Sequence, residues 1–162
     1  MYLKPDTTLL VNDKPLFLPD FAERYTANIA VAVLIDRMGR HIDERFAERY
    51  YHEMTVALNV RADLKSTKLN DLTRSIVFDN SFPIGKMIDK ELFKASCVDD
   101  KFTIEQLVVP IDKAIARASS YVTLRTGDIV AIDFMALPFL LEREQIFTAM
   151  VAEQQVLKTK FK

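Results

Sequence analysis

Few side chains in this 162-residue chain carry chemistry, and their spacing is uninformative for most of them. Asp128 and Asp133 are the nearest approach to a carboxylate pair for acid–base work, but one sits in a turn sequence and the other on a predicted strand. They are read as structural. His41 and His52, the second beside Glu53, flank a predicted helix in the wrong phase to meet, and no nucleophile or third partner accompanies them. Cys97 has no identifiable base near it in sequence and is read as an ordinary thiol. Lys65 and Lys68 lie in the polar run Lys65 to Asp71, read as solvated loop lysines that could reach an anion over a pocket. Thr26 and Asn28 stand two apart where the chain turns apolar, and strand alternation places both on one face. Asn59 is the one polar interruption in Thr55 to Val60. These three offer neutral oxygens and amides, the equipment of binding rather than of proton transfer.

The element that must position them is Arg24 to Arg40. Its centre, Ile29 to Ile35, is the longest uninterrupted apolar run, rich in β-branched residues, and Asp36-Arg37-Met38-Gly39 closes it. The run predicts a buried central strand and is far too short to span a membrane. Before it, Leu9-Leu10-Val11 and Leu16-Phe17-Leu18 read as two short strands separated by Asn12-Asp13-Lys14-Pro15. After it, Ile42 to Met54 has a helical period, with Asp43 as N-cap and Phe46, Ala47, Tyr50, Tyr51 and Met54 as the buried stripe. Phe46, Tyr50 and Tyr51 are therefore read as core rather than as a stacking platform. Thr55 to Val60 predicts a second buried strand, Asp99-Asp100 a turn, and Pro110 to Tyr121 a helix opened by its proline. Thr126-Gly127-Asp128 leads into a strand over Ile129 to Phe134, and Gln145 to Val151 with Gln155 to Phe161 predicts a terminal hairpin. Strands outnumber helices without alternating with them, which gives an α+β class rather than a doubly wound sheet.

Composition sets outer limits. A 49% apolar, 28% charged chain of this length supports one domain with a sizeable core. A net charge of −1 gives no electrostatic footprint for nucleic acid or an anionic membrane surface. One cysteine excludes an internal disulfide and suits a reducing compartment, so a cytoplasmic setting is expected. There is no C-x-x-C pair, Gly-rich phosphate loop or His-Glu metal motif.

The order of segments resembles the fumarylacetoacetate hydrolase family, which includes acylpyruvases, oxaloacetate decarboxylases and 2-hydroxyhepta-2,4-diene-1,7-dioate isomerases. The resemblance is carried by Leu3-Lys4-Pro5, the strand Tyr25 to Leu34, Phe46 to Val60, Ile76 to Gly85, the Pro-led helix Pro110 to Ser120, and Leu124 to Asp128. It implies a mixed β-sheet roll with a few short helices, one domain over 1–162 without the family's upstream His-bearing segment. In that family two glutamates and an aspartate hold magnesium or manganese and a lysine assists. At the matching positions this sequence has Thr26, Asn28, Asn59 and Ile76. Three carboxylates become neutral and a cation becomes apolar, while Phe78, Asp79, Pro83, Gly85, Gly127 and Asp128 are kept. Affinity for a hydrated dication depends on ligand charge, so no metal cofactor is expected and no catalytic residue is assigned. The resemblance thus implies a catalytically silent relative acting by binding or assembly, as a homodimer or with an active paralogue. The alternatives are a metal-dependent enzyme on acylpyruvate-like or β-keto acids with other ligands, and a binder of a small carboxylate in the emptied pocket around Thr26, Asn28, Asn59 and Ile76.

Overall fold

The computed structural model describes residues 1–64 and 69–162, the side chains of Leu69 and Asn70 excepted. In chain order the elements are β1 (Leu9–Leu10), β2 (Arg24–Ile35), β3 (Tyr51–Asp63), α1 (Leu69–Ile76), β4 (Phe82–Pro83), β5 (Ile88–Asp89), α2 (Lys90–Lys94), α3 (Ile111–Tyr121), β6 (Ile129–Asp133), β7 (Phe139–Leu140), β8 (Ile146–Val151) and β9 (Gln154–Lys160). Among the described residues three 3-10 turns supplement them, the longest over Glu44–Tyr50. The main sheet runs β5-β3-β2-β6, with β7 also on β2, and every pairing in it is antiparallel. β1 and β4 form a parallel pair, and β8 and β9 a hairpin. This is the α+β arrangement the sequence implies, with a mixed set of strands and a few short helices.

β2 and β3 are the spine. Residues opposite one another on them alternate between two faces. Tyr25, Ala27, Val31, Val33 and Ile35 meet Ala62, Val60, Val56, Met54 and Tyr51 across the ladder, and all ten are buried in the principal core. Helix α3 adds Ile111, Ile115 and Ala118 to that core. Its opening is as expected, with Pro110 at the N-cap and Asp112 in the first turn. On the opposite face Ala32 and Ala57 pack beneath Phe82 and Ile84, forming a second, smaller cluster. That second face also carries Thr26, Asn28, Asn59, Arg61 and Asp133.

Three sequence expectations need correction. The helix over Ile42 to Met54 is only a 3-10 turn, Glu44–Tyr50, and β3 begins at Tyr51. Asp43 does cap it, accepting from the Arg45 amide at 3.1 Å. The apparent helical stripe arises from a β-bulge. Register slips between Leu34–Glu53 and Ile35–Tyr51, so His52 is the extra residue. The slip returns Tyr51 to the face of Met54, three residues on, which is also a helical spacing. Phe46 is not core. It is 40% exposed, and the guanidinium groups of Arg45 and Arg49 lie 4.9 and 4.7 Å from its ring centroid. Leu16 to Leu18 is not a strand but a single parallel bridge, Leu16 to Phe161, fastened by Leu16 N–H to Lys160 O at 2.8 Å. In the predicted loop Lys65 to Asp71, Lys65 and Lys68 lie outside the described residues, and α1 already begins at Leu69.

Candidate anion-facing site on the second sheet face

Antiparallel register builds the floor of this site. Asn28 on β2 is directly opposite Asn59 on β3, and Thr26, two residues earlier, is opposite Arg61. Asp133, the last residue of β6, is opposite Ala30 and so joins the same face. The N-terminal segment then crosses it. Tyr2 donates its hydroxyl proton to Asn59 Oδ1 at 2.9 Å and accepts from Asn59 Nδ2 at 2.7 Å. The same Nδ2 donates to Asp133 Oδ1 and Oδ2 at 3.2 and 3.3 Å. Asn59 is only 4% exposed, and this bridging satisfies an amide whose burial would otherwise be costly. Asn28 donates to the Ala136 carbonyl at 3.3 Å, pinning the chain that follows β6.

Arg61 and Lys4 border the cluster. Arg61 Nη2 is 3.8 Å from Asp133 Oδ2. Lys4 Nζ donates to Ser81 Oγ at 3.2 Å and to Ser81 O at 3.4 Å, and lies 5.4 Å from the Phe82 ring centroid. Burial of the Lys4 ammonium, aided by repulsion from Arg61 and opposed by Asp133, lowers its pKa from 10.5 to about 8. Burial also raises the Asp133 pKa, against the pull of the Asn59 hydrogen bond and the Arg61 and Lys4 charges.

The structure thus places Thr26, Asn28 and Asn59 together on one face. Ile76 sits at the end of α1, half-buried, and joins the group through its backbone, accepting from Ser81 Oγ at 3.5 Å. Sequence reasoning did not single out Tyr2 or Arg61, kept Lys4 only as part of a motif, and set Asp133 aside. The signal for Arg61 was available, because it follows Asn59 by two on the same strand.

The remaining sequence candidates stay apart. Asp128 accepts from the Arg125 amide at 2.7 Å inside its turn, at the other end of β6 from Asp133. His52 pairs with Asp36 at the surface, and the His41 amide goes to Ser119 O. Cys97 is exposed.

The donor set does not fit a divalent cation. Thr26, Asn28 and Asn59 contribute no charge, Asn59 Oδ1 is already an acceptor for Tyr2, and Asp133 is held by Asn59. Lys4 and Arg61 would repel a dication placed among them. Among the described residues, no three His, Cys, Asp or Glu side chains come together as a metal-holding group.

Comparison with known proteins fixes the fold's kinship. The chain is 23% identical over 140 residues to an uncharacterized protein of Methanocaldococcus jannaschii, covering 81% of this chain and 59% of that one. It spans 56–65% of the length of the curated relatives it matches. Its backbone matches 5-carboxymethyl-2-hydroxymuconate delta-isomerase from Mycobacterium smegmatis with a TM-score of 0.85 at 20% identity, covering 99% of this chain and 67% of that one. Fumarylpyruvate hydrolase from Pseudomonas aeruginosa, solved with Mn2+ and pyruvate, matches with a TM-score of 0.77 at 18% identity, covering 99% and 77%. The family model described as fumarylacetoacetate (FAA) hydrolase C-terminal matches residues 1–132. On that match over most of its length, the chain belongs to the fumarylacetoacetate hydrolase family.

Proposed function

We propose that this chain is a catalytically silent member of its family and acts by binding or assembly. The observation that carries the reading is the state of Asn59. Its amide, at the position where the family resemblance places a metal-binding aspartate, bridges Tyr2 and Asp133, with Arg61 3.8 Å from Asp133. A metal-dependent reaction needs anionic oxygens to hold a hard cation and a cleared coordination position beside them. This face supplies neutral groups at Thr26, Asn28 and Asn59, the carboxylate Asp133 already bound by Asn59, and the cations Lys4 and Arg61 beside them. What it can do chemically is donate hydrogen bonds and positive charge to an anion.

Assembly is the second part of the reading. A second copy of the chain or an active paralogue is the partner that the family resemblance favours, and light scattering of the purified chain alone and mixed with a paralogue reads it.

The activity test is turnover. The chain is assayed on oxaloacetate and on an acylpyruvate with magnesium and with manganese, beside a heat-killed control. The expected result is no turnover above that control. Turnover that is metal-dependent and abolished by EDTA would establish instead an enzyme with ligands other than those matched here.

A further inference from the structure

Lys4 is a nucleophile as well as a charge. Its amine stands half-buried on the N-terminal segment, with the Phe82 ring centroid 5.4 Å from Nζ as an apolar wall. Among the described residues its hydrogen-bond acceptors are both on Ser81, the hydroxyl at 3.2 Å and the carbonyl at 3.4 Å. Ser81 is fully buried, so it fixes the amine without competing for an incoming molecule. The charges acting on Lys4 are Arg61 of β3 and Asp133 of β6. Arg24 and Asp63, opposite one another on β2 and β3, lie farther along the same face.

An amine forms a covalent bond only through the lone pair that deprotonation frees, and desolvation or a neighbouring cation favours that state. Both act here. Burial and the Arg61 charge lower the Lys4 pKa to about 8, which leaves about one molecule in ten neutral at pH 7. At 10.5 the fraction would be about one in three thousand. With Lys4 neutral, Arg24 and Arg61 are matched by Asp63 and Asp133. The reactive form therefore meets an uncharged carbonyl compound with no electrostatic handicap, and its half-buried position admits a small one.

We propose that Lys4 binds a small uncharged aldehyde covalently and reversibly, as an imine. The proposal goes beyond the silent reading, since it needs neither metal nor turnover. The Nζ lone pair attacks the carbonyl carbon, the C=O π electrons move to oxygen, and oxygen takes a proton from nitrogen. The carbinolamine so formed expels its hydroxyl together with the second N–H proton as water, and the C=N bond takes their place. Hydrolysis runs the same steps backward.

The test is trapping of the full chain with propanal and sodium cyanoborohydride in EDTA, over a pH series, read by peptide mass spectrometry. Reduction of the imine leaves a propyl group on each modified lysine. At pH 7 Lys4 should be modified at least about tenfold faster than any other lysine, with a rate that levels off above a midpoint near 8. Arg61→Met removes a cation beside the amine, so it should move that midpoint upward and slow Lys4 at pH 7 about twofold or more. Glyoxylate, an aldehyde that carries a carboxylate, should give Lys4 a smaller lead over the other lysines. Lys4 modified no faster than other lysines, or a midpoint near 10.5, would overturn the site. An unmoved midpoint in Arg61→Met would overturn the part given to Arg61. A lead with glyoxylate as large as with propanal would overturn the ligand class. Metal-dependent turnover of oxaloacetate or an acylpyruvate, assayed without propanal, would overturn the silent reading alone.

Discussion

At the scale of single residues, Lys4 is held where it costs stability. Its ordinary pKa of 10.5 falls to about 8 in the fold, chiefly through burial. Below pH 8 native and unfolded states both keep the proton, so the native state bears the whole burial cost. Between about 8 and 10.5 the native state releases the proton while the unfolded state retains it, so Lys4 makes stability rise with pH in that window. Lys4→Met should therefore melt at or above the temperature of the unsubstituted chain at pH 7, with the difference closing as pH approaches 10.5. A variant that melts several degrees lower at pH 7 would mean that the Ser81 hydrogen bonds outweigh burial. Asp133 works in the opposite sense. Its pKa is raised from 3.8, so its contribution declines as pH climbs from 3.8 through the raised value.

At the scale of elements, the second face depends on how closely the chain after β4 approaches the sheet. A Cβ added at Gly85 would lie 2.6 Å from Val156 O and 2.7 Å from Thr55 Oγ1. Gly85→Ala should destabilise the protein by about 1–3 kcal/mol, the usual cost of overpacking, measured as a lower midpoint in urea unfolding. An unchanged midpoint would show that β9 can yield there. The elements legible in the sequence are those with one dominant local signal. The apolar run announces β2, the proline announces α3, and the alternation around Glu153 announces the β8–β9 hairpin. The start of β3 was not legible, because the bulge at His52 puts Tyr51 and Met54 on one face at a helical interval. The same division holds for the site. Thr26, Asn28 and Asn59 follow from strand alternation and a register that pairs Asn28 with Asn59. Tyr2 reaches Asn59 from 57 residues away and Asp133 reaches it from 74, and no local pattern encodes such contacts.

At the scale of the whole molecule, the chain has the family's fold, with a neutral trio at Thr26, Asn28 and Asn59 on the second face. The principal core lies on the other face, where β2 meets β3 and α3, so the fold does not depend on which side chains stand on the second face. Among the described residues no helix is long and apolar enough to cross a membrane. Kinship with hydrolases and an isomerase establishes the architecture, and the side chains on the second face decide what that architecture does. The most direct measurement is calorimetric titration with manganese of the unsubstituted chain beside a Thr26→Glu, Asn28→Glu, Asn59→Asp triple variant. Those substitutions put three carboxylates on one face at register-matched positions, which is the charge a divalent site needs. The account predicts no saturable manganese binding by the unsubstituted chain and a measurable affinity in the triple variant. Micromolar binding by the unsubstituted chain would contradict it.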